Sequence, residues 1–558
     1  MSKGLIATII VGVLGLGATA AWFFFRGNDE HLRLIPKDAV VVATIELPTI
    51  AQRFNDADYK NSSWYKAFEE RAQNVGLTGE QIAMRFMLRN PTETGLNVMS
   101  DVYYFMAIDG ENLYNTLVFD VDDSNEFEKL VKMFDSEITI HLETNYRWGN
   151  MDSETVIAWN KEGGIIMNNA NYRNRYEDNW SKDALTKVFG RTEENSILAN
   201  DQFQRLRNTA GELAVYFNGT AASQLQELGS RQFGTIGMFA QLDKMKDVSM
   251  FGSLHFNEGD IHFDFEVESN NKEYNESIAV SDKPISVEHI KLMTDERLLG
   301  FVSLSFDFGK IIDGILKQEP DAQAEFNEML ASQGLTFDEF KSMFSGEVSL
   351  ALNTVEYRQP VRFNDIYLEG FEGQPSPEMV PVFTLNFSSG NKEAIKKVLR
   401  KNVTKEGVMT EDENGVFHFR SPFAIAFDIA ETPIGFMISN NDKLIAKANG
   451  QGLNPNAIAQ ELAGAYPTAA YWNMDISSYS QDFNQFLEDE AGSEMESALT
   501  YMKIFKDMKM YGGANKMEFH IYMKDEEENS LATLIKQVDV LYKEENKDKE
   551  IPSVESPL

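Results

Sequence analysis

Two histidines and a run of acids are the residues of this 558-residue chain whose types and spacing are best suited to chemistry. His255 and His262 flank the turn Asn257–Asp260, so a hairpin there sets the two imidazoles opposite each other across the ladder. Asp264 follows two residues on and shares their face. Paired imidazoles can begin a metal site, but the further ligand such a site requires is not evident in the sequence, and the trio reads better as the solvated polar face of a strand pair. The acids Asp120, Asp122 and Asp123, followed by Ser124 and Asn125, look superficially like the start of a calcium loop. They lack the glycine at the sixth position and the carboxylate at the twelfth, where Val131 stands. A second strand-to-helix junction, Ser388, Ser389, Gly390 and Asn391, aligns with this one and contains no acid. Helix capping explains both junctions, whereas calcium explains one.

Other chemistry is thinly supported. The chain has no cysteine, which removes disulfides, thiolate nucleophiles and zinc–thiolate sites. No G-x-S-x-G elbow occurs, and no S-x-x-K motif has a suitable context. Gly12, Gly15 and Gly17 lie inside an apolar run, where small residues allow close helix packing rather than phosphate binding. No catalytic residue, metal or cofactor is therefore assigned. The expected protein is not an enzyme, with a hydrolase assembled between its halves as the remaining catalytic reading.

The elements around these residues occur in pairs. GLNVMSDVYYFMAI at Gly95–Ile108 has a counterpart in FKSMFSGEVSLALN at Phe340–Asn353, and Asn115–Phe134 has one in Phe383–Asn402. The spacing of about 250 to 270 residues is too long for a solenoid and suits a duplicated domain. Strands run into helices at Gly211, Glu296 and Tyr466, with Asn218, Asp307 and Asp475 placed as helix caps. Each half ends in an alternating strand pair, near Asp247 and Lys506. The fold class expected is α+β: two tandem related repeats, each a mainly antiparallel sheet with amphipathic helices packed on one face, preceded by one N-terminal transmembrane helix. The boundaries are an anchor and linker at 1–31, a first repeat at 32–283, a second at 284–542, and a disordered acidic tail at 543–558.

A hydrophobic content of 43% with 11% aromatic residues is that of a globular protein, and a net charge of -36 excludes a nucleic-acid partner. Leu5–Phe25 is a run of 21 residues without a charge. As a helix it measures about 31 Å, a bilayer core. It extends past the Ala18-Thr19-Ala20 cleavage signature and closes on Trp22, Phe23, Phe24 and Phe25, so an uncleaved anchor is preferred to a cleaved signal peptide. The membrane is thus a partner through residues 5–25. The expected location is the inner membrane, single-pass, with the large domain in the periplasm.

The opening IPKDAVVVATIEL, the GLNVMSDVYYFM unit and the paired strand–helix blocks resemble a family of Bacteroidota envelope proteins known only as a domain of unknown function. The resemblance covers roughly Leu32–Tyr542 and implies an exported protein. It carries no catalytic residues. Many members of that family have a lipidated cysteine, and here the apolar run stands in its place, which moves the expected anchor from the outer membrane to the inner one.

Two segments have no counterpart in the other half. Arg358–Val380 is rich in glycine and proline and offers Phe363, Tyr367 and Phe371 as partner-binding residues. Tyr146–Trp180 gathers Trp148, Trp159 and Trp180 with tyrosines, amides and arginines, which serve either as a ligand-binding aromatic platform or as strand core. The function expected is that of a membrane-anchored, non-enzymatic envelope protein acting as a protein-binding or assembly module. A glycan- or peptide-binding protein is the alternative.

Overall fold

Runs of β-branched and aromatic residues with period two, such as Val41–Ile45 and Gly300–Ser305, form antiparallel strands, because that period sends alternate side chains to opposite sides of a pleated sheet. The structure is a computed structural model describing residues 29–74, 82–83, 86–87, 89–170, 180–209, 211–232, 245–277, 281, 283–293, 298–318, 322–358, 378–403, 408–420, 426–449, 456–481, 483–484 and 499–546. The chain divides into two units, Met1–Tyr274 with Asp525–Leu558, and Asn275–Lys524.

The first unit holds β1 (Val41–Ile45), β2 (Val102–Asp109), β3 (Asn112–Phe119), β4 (His141–Leu142), β5 (Arg147–Asn150), β6 (Thr155–Asn160), β7 (Gly163–Asn169), β8 (Leu213–Asn218), β9 (Val248–Asn257) and β10 (Asp260–Ser269). Its ladder runs β4–β5–β6–β7–β3–β2–β1–β8–β9–β10, antiparallel throughout. Three of its helices are α1 (Leu47–Asp56), with proline in its first turn, α2 (Ser63–Asn74) and α3 (Ser124–Phe134). Phe127, Leu130 and Val131 of α3 pack on Phe119, Ile157, Trp159 and Ile166 of the sheet.

The second unit holds β11 (Gly300–Ser305), β12 (Glu347–Arg358), β13 (Glu378–Ser388), β14 (Met409–Glu411), β15 (Phe417–Arg420), β16 (Ala426–Glu431), β17 (Gly435–Ser439), β18 (Thr468–Asn473), β19 (Phe505–Gly512) and β20 (Lys516–Met523). Its ladder runs β14–β15–β16–β17–β13–β12–β11–β18–β19–β20, again antiparallel. Helices α4 (Val287–Leu292), α5 (Phe337–Met343), α6 (Lys392–Lys401) and α7 (Ala457–Leu462) belong to this unit. Ile290 and Leu462 seal one face of the sheet against Phe301, Ala351, Ala469 and Tyr471. Phe344 packs on Phe387 at 5.4 Å, and Phe387 on Phe436 at 5.8 Å, inside a second cluster beneath α6. Asn218, Asp307 and Asp475 each accept a backbone N–H from the turn that follows, as capping side chains do.

The expected architecture needs correction on two points. In place of two tandem repeats, the second unit, Asn275–Lys524, is enclosed in the chain by the first, which also takes Asp525–Leu558. Strand alternation specifies that a ladder forms and which residues share a face, but it does not specify where the ladder stops. The final helix α8 (Ser530–Asn546) likewise belongs with the first unit, where Ala532 and Ile535 pack on Ala57, Tyr59 and Tyr65. The Ser530 hydroxyl donates to the Asp260 carbonyl at 3.0 Å and fixes the start of that helix. The second point concerns the membrane. Among the described residues no helix is long and apolar enough to cross one. The run at residues 5–25 and most of the tail at 543–558 lie outside the described residues, although α8 itself reaches Asn546.

Candidate functional site

The acidic run is a cap, not a cation loop. Gly95, with φ +75°, lies so close to α3 that a Cβ there would stand 2.3 Å from the Asp123 carbonyl oxygen, and its own carbonyl accepts the N–H groups of Asp122 and Asp123. Asp123 Oδ1 then accepts the N–H of Asn125 at 2.8 Å and of Glu126 at 3.1 Å. Those backbone donors hold its carboxyl below the ordinary aspartate range. Asp120 turns inward instead and accepts from Asn97 Nδ2 at 2.9 Å and Ser100 Oγ at 3.1 Å. Asn391 caps α6 in the same way, accepting the Ala394 N–H at 3.1 Å.

His255 and His262 are cross-strand partners in the β9–β10 register, with ring centroids 5.7 Å apart. Asp264 Oδ1 lies 3.3 Å from His262 Nε2, and Oδ2 lies 3.8 Å from His255 Nε2. The hairpin therefore brings together the three residues that its spacing predicts.

Trp148 and Trp159 belong to the core of the first unit. Trp159, on β6, is 0% exposed and donates from Nε1 to the Ser124 carbonyl at 3.1 Å, which ties β6 to the start of α3. Trp148 is buried and stacks on His141 at 4.6 Å. Trp180 is half-buried and stacks on Tyr114 at 6.0 Å. Indoles buried to this degree have little surface left for a sugar or peptide, so Trp148 and Trp159 are structural aromatics rather than ligand-binding ones. Phe363, Tyr367 and Phe371 lie outside the described residues.

Two arrangements were invisible in the sequence. The first joins α4 to β12. His289 Nε2 lies 2.8 Å from Ser349 Oγ, and its Nδ1 lies 3.6 Å from Glu347 Oε2. Glu347 accepts from Ser286 through the backbone N–H at 2.9 Å and the hydroxyl at 2.8 Å. Serine, histidine and carboxylate are here in the order of a hydrolytic triad, but His289 is 0% exposed and Ser349 is 1% exposed, so no substrate reaches the hydroxyl. Burial lowers the imidazole pKa to about 4, and the ring is neutral at physiological pH. The 3.6 Å approach to Glu347 is accordingly neither an ion pair nor a hydrogen bond. What the cluster does is hold α4 on the sheet.

The second arrangement is an uncovered apolar sheet face in the second unit. Val302 on β11 stands opposite Leu350 on β12 and Ala470 on β18, while Trp472 stands opposite Gly300. Val302 is 53% exposed, Leu350 48% and Trp472 38%. Half-buried apolar neighbours extend the patch on the same face: Leu385 is opposite Leu350, and Met508 is opposite Trp472. The alternate residues Phe301, Ala351, Ala469 and Tyr471 point the other way and are sealed by α4 and α7. Sequence alternation identifies the two faces but not the one the helices choose. The signal that was available is the presence of valine, leucine and tryptophan where a wet face would carry polar residues.

None of the curated proteins compared matches the chain. Among solved structures, crystal form IV of TP0453 is 8% identical, with 42% of this chain and 79% of that chain covered and a TM-score of 0.24. Crystal form III of TP0453 is also 8% identical, with 46% and 89% covered and the same TM-score of 0.24. At that score the likeness supports no argument about fold or function. The model of the family described as Domain of unknown function (DUF4836) matches residues 32–531, and this chain accordingly belongs to the DUF4836 family.

Proposed function

We propose that the chain is a non-enzymatic envelope protein that binds another protein through the uncovered sheet face of its second unit. The observation that carries this reading is the adjacency of Val302, Leu350 and Trp472, three large apolar side chains open to solvent on neighbouring strands. Single exposed hydrophobes are ordinary, but a contiguous set on a rigid sheet is the surface that association removes from water. Tryptophan at such a site is a typical anchor for a partner pocket. The IPKDA opening and the apolar run Leu5–Phe25 suit a Bacteroidota envelope protein attached to the inner membrane through residues 5–25, with its folded part in the periplasm. The sealed His289–Ser349 pair supports the non-enzymatic half of the reading, since this triad-like cluster among the described residues is closed to substrate.

The test is photo-cross-linking in native membranes from a reactive side chain at position 350, with and without Val302→Lys. A discrete adduct with a second envelope protein is expected, and it should disappear in the lysine variant while the melting temperature stays within about 1 °C. An adduct that survives Val302→Lys, or no adduct in membranes that contain the folded protein, overturns the reading.

A further inference from the structure

We infer that the first unit holds a binding site for the end of an alkyl chain in the cavity between α3 and the sheet. The cavity has a volume of about 90 Å³ and is walled by Ala83, Met87, Val98, Leu130 and Ile166, among other hydrocarbon side chains. Three polar residues border it, and each is engaged elsewhere. Asn97 donates to Asp120, Asp120 also accepts from Ser100, and Asp135 accepts the Glu137 N–H at 2.9 Å. With no polar group turned into it, the space offers water no partner and stays dry.

An empty apolar cavity is a cost. The second unit shows that such a strand–helix layer can be closed with side chains. Beneath α6, Phe326 packs on Phe340 at 5.1 Å and Phe344 on Phe387 at 5.4 Å. The first unit places Ala83 and Val98 in its corresponding layer beneath α3 and leaves space. An occupant that supplies the missing hydrocarbon restores the contacts that rings supply beneath α6.

Size and charge narrow the occupant. A cavity of about 150 Å³ accepts benzene, so this smaller one suits the last few carbons of an unbranched chain rather than a ring. Leu96, Leu117, Phe134 and Met151 in its wall are only partly buried, which gives the rest of such a chain a way out. Asp135 lines the same wall and is itself partly exposed, so a carboxylate head group emerging there meets a like charge. An alkyl chain with an uncharged or cationic head is the ligand class that fits. This site uses none of the residues of the proposed protein-binding face, and the two ideas stand or fall separately.

The test is calorimetric titration of the full chain, kept soluble in an amphipathic polymer, with 1-decanol, decanoate and dihexanoylphosphatidylcholine. Saturable decanol binding is expected, at least tenfold tighter than that of decanoate. Ala83→Leu, which fills the space, is expected to raise the melting temperature and weaken decanol at least tenfold. Val98→Leu serves as the second filling variant if Ala83→Leu does not fold, and Leu350→Ala is expected to leave decanol binding unchanged. Competition by dihexanoylphosphatidylcholine assigns the chain to a phospholipid, and its absence assigns a free single-chain amphiphile. No saturable decanol binding, or binding untouched by a folded filling variant, overturns the inference.

Discussion

Trp472 lies across Gly300 on neighbouring strands, so close that a Cβ at position 300 would stand 2.6 Å from the indole Cε3. The glycine is what lets the ring lie down along the sheet. Gly300→Val is therefore expected to lift the indole, lower stability by about 1–3 kcal/mol and redden tryptophan emission as the ring enters water. Urea melts read alongside the emission spectrum check both effects. Unchanged emission would mean that the ring does not depend on the glycine.

His289 makes stability depend on pH in a defined direction. Its folded pKa is lowered to about 4 from 6.5, so the unfolded chain binds the extra proton first as pH falls. The contribution is whole above pH 6.5 and is lost as pH drops towards 4, by up to about 3 kcal/mol. Urea melts at pH 7.5 and pH 5 are expected to show a loss in the native protein that is reduced in His289→Gln. Equal losses in both would assign the acid sensitivity elsewhere.

Capping, not calcium, is the work of Asp123. Asp123→Ala and Asn391→Ala are each expected to cost about 1 kcal/mol, because each leaves helix N–H groups without their acceptor. Millimolar calcium is expected to leave the melting temperature of the native protein unchanged. A calcium-dependent rise that Asp123→Ala abolishes would restore the cation reading.

Trp159 is a strut between β6 and α3. Trp159→Ala is expected to cost about 3–5 kcal/mol from the cavity alone, whereas Trp159→Phe should cost less and report chiefly the lost bond to Ser124. Denaturant midpoints of the two variants measure the difference. A Trp159→Ala protein of native stability would contradict its place in the core.

Asp428 is buried on β16, where its Oδ1 accepts Arg420 at 2.7 Å and lies 2.9 Å from His418 Nδ1. Asp428→Ala leaves the partly buried Arg420 guanidinium without this partner and is expected to cost about 3 kcal/mol. A chemical melt that moves by less than about 1 kcal/mol would show that water replaces the carboxylate.

Much of this protein is local enough to be written in order along the chain. The caps at Asp123, Asn218, Asp307, Asn391 and Asp475, the hairpin that faces His255 with His262, and the strands themselves follow from side chains acting within a few residues of their own backbone. Periodicity also separates Val302 and Leu350 from Phe301 and Ala351 as two faces of one sheet. What periodicity lacks is the identity of the third body. Only the tertiary structure decided that α4 and α7 cover the Phe301 side, that residues 60 apart join His289 to Ser349, and that α8 returns to Tyr59 and Tyr65. Those choices depend on how apolar surfaces far apart in the chain share one volume. Tryptophan in a strand has the same alternation whether its neighbour is solvent or a helix, which is why Trp159 and Trp472 read alike as letters and lie on opposite sides of the water boundary.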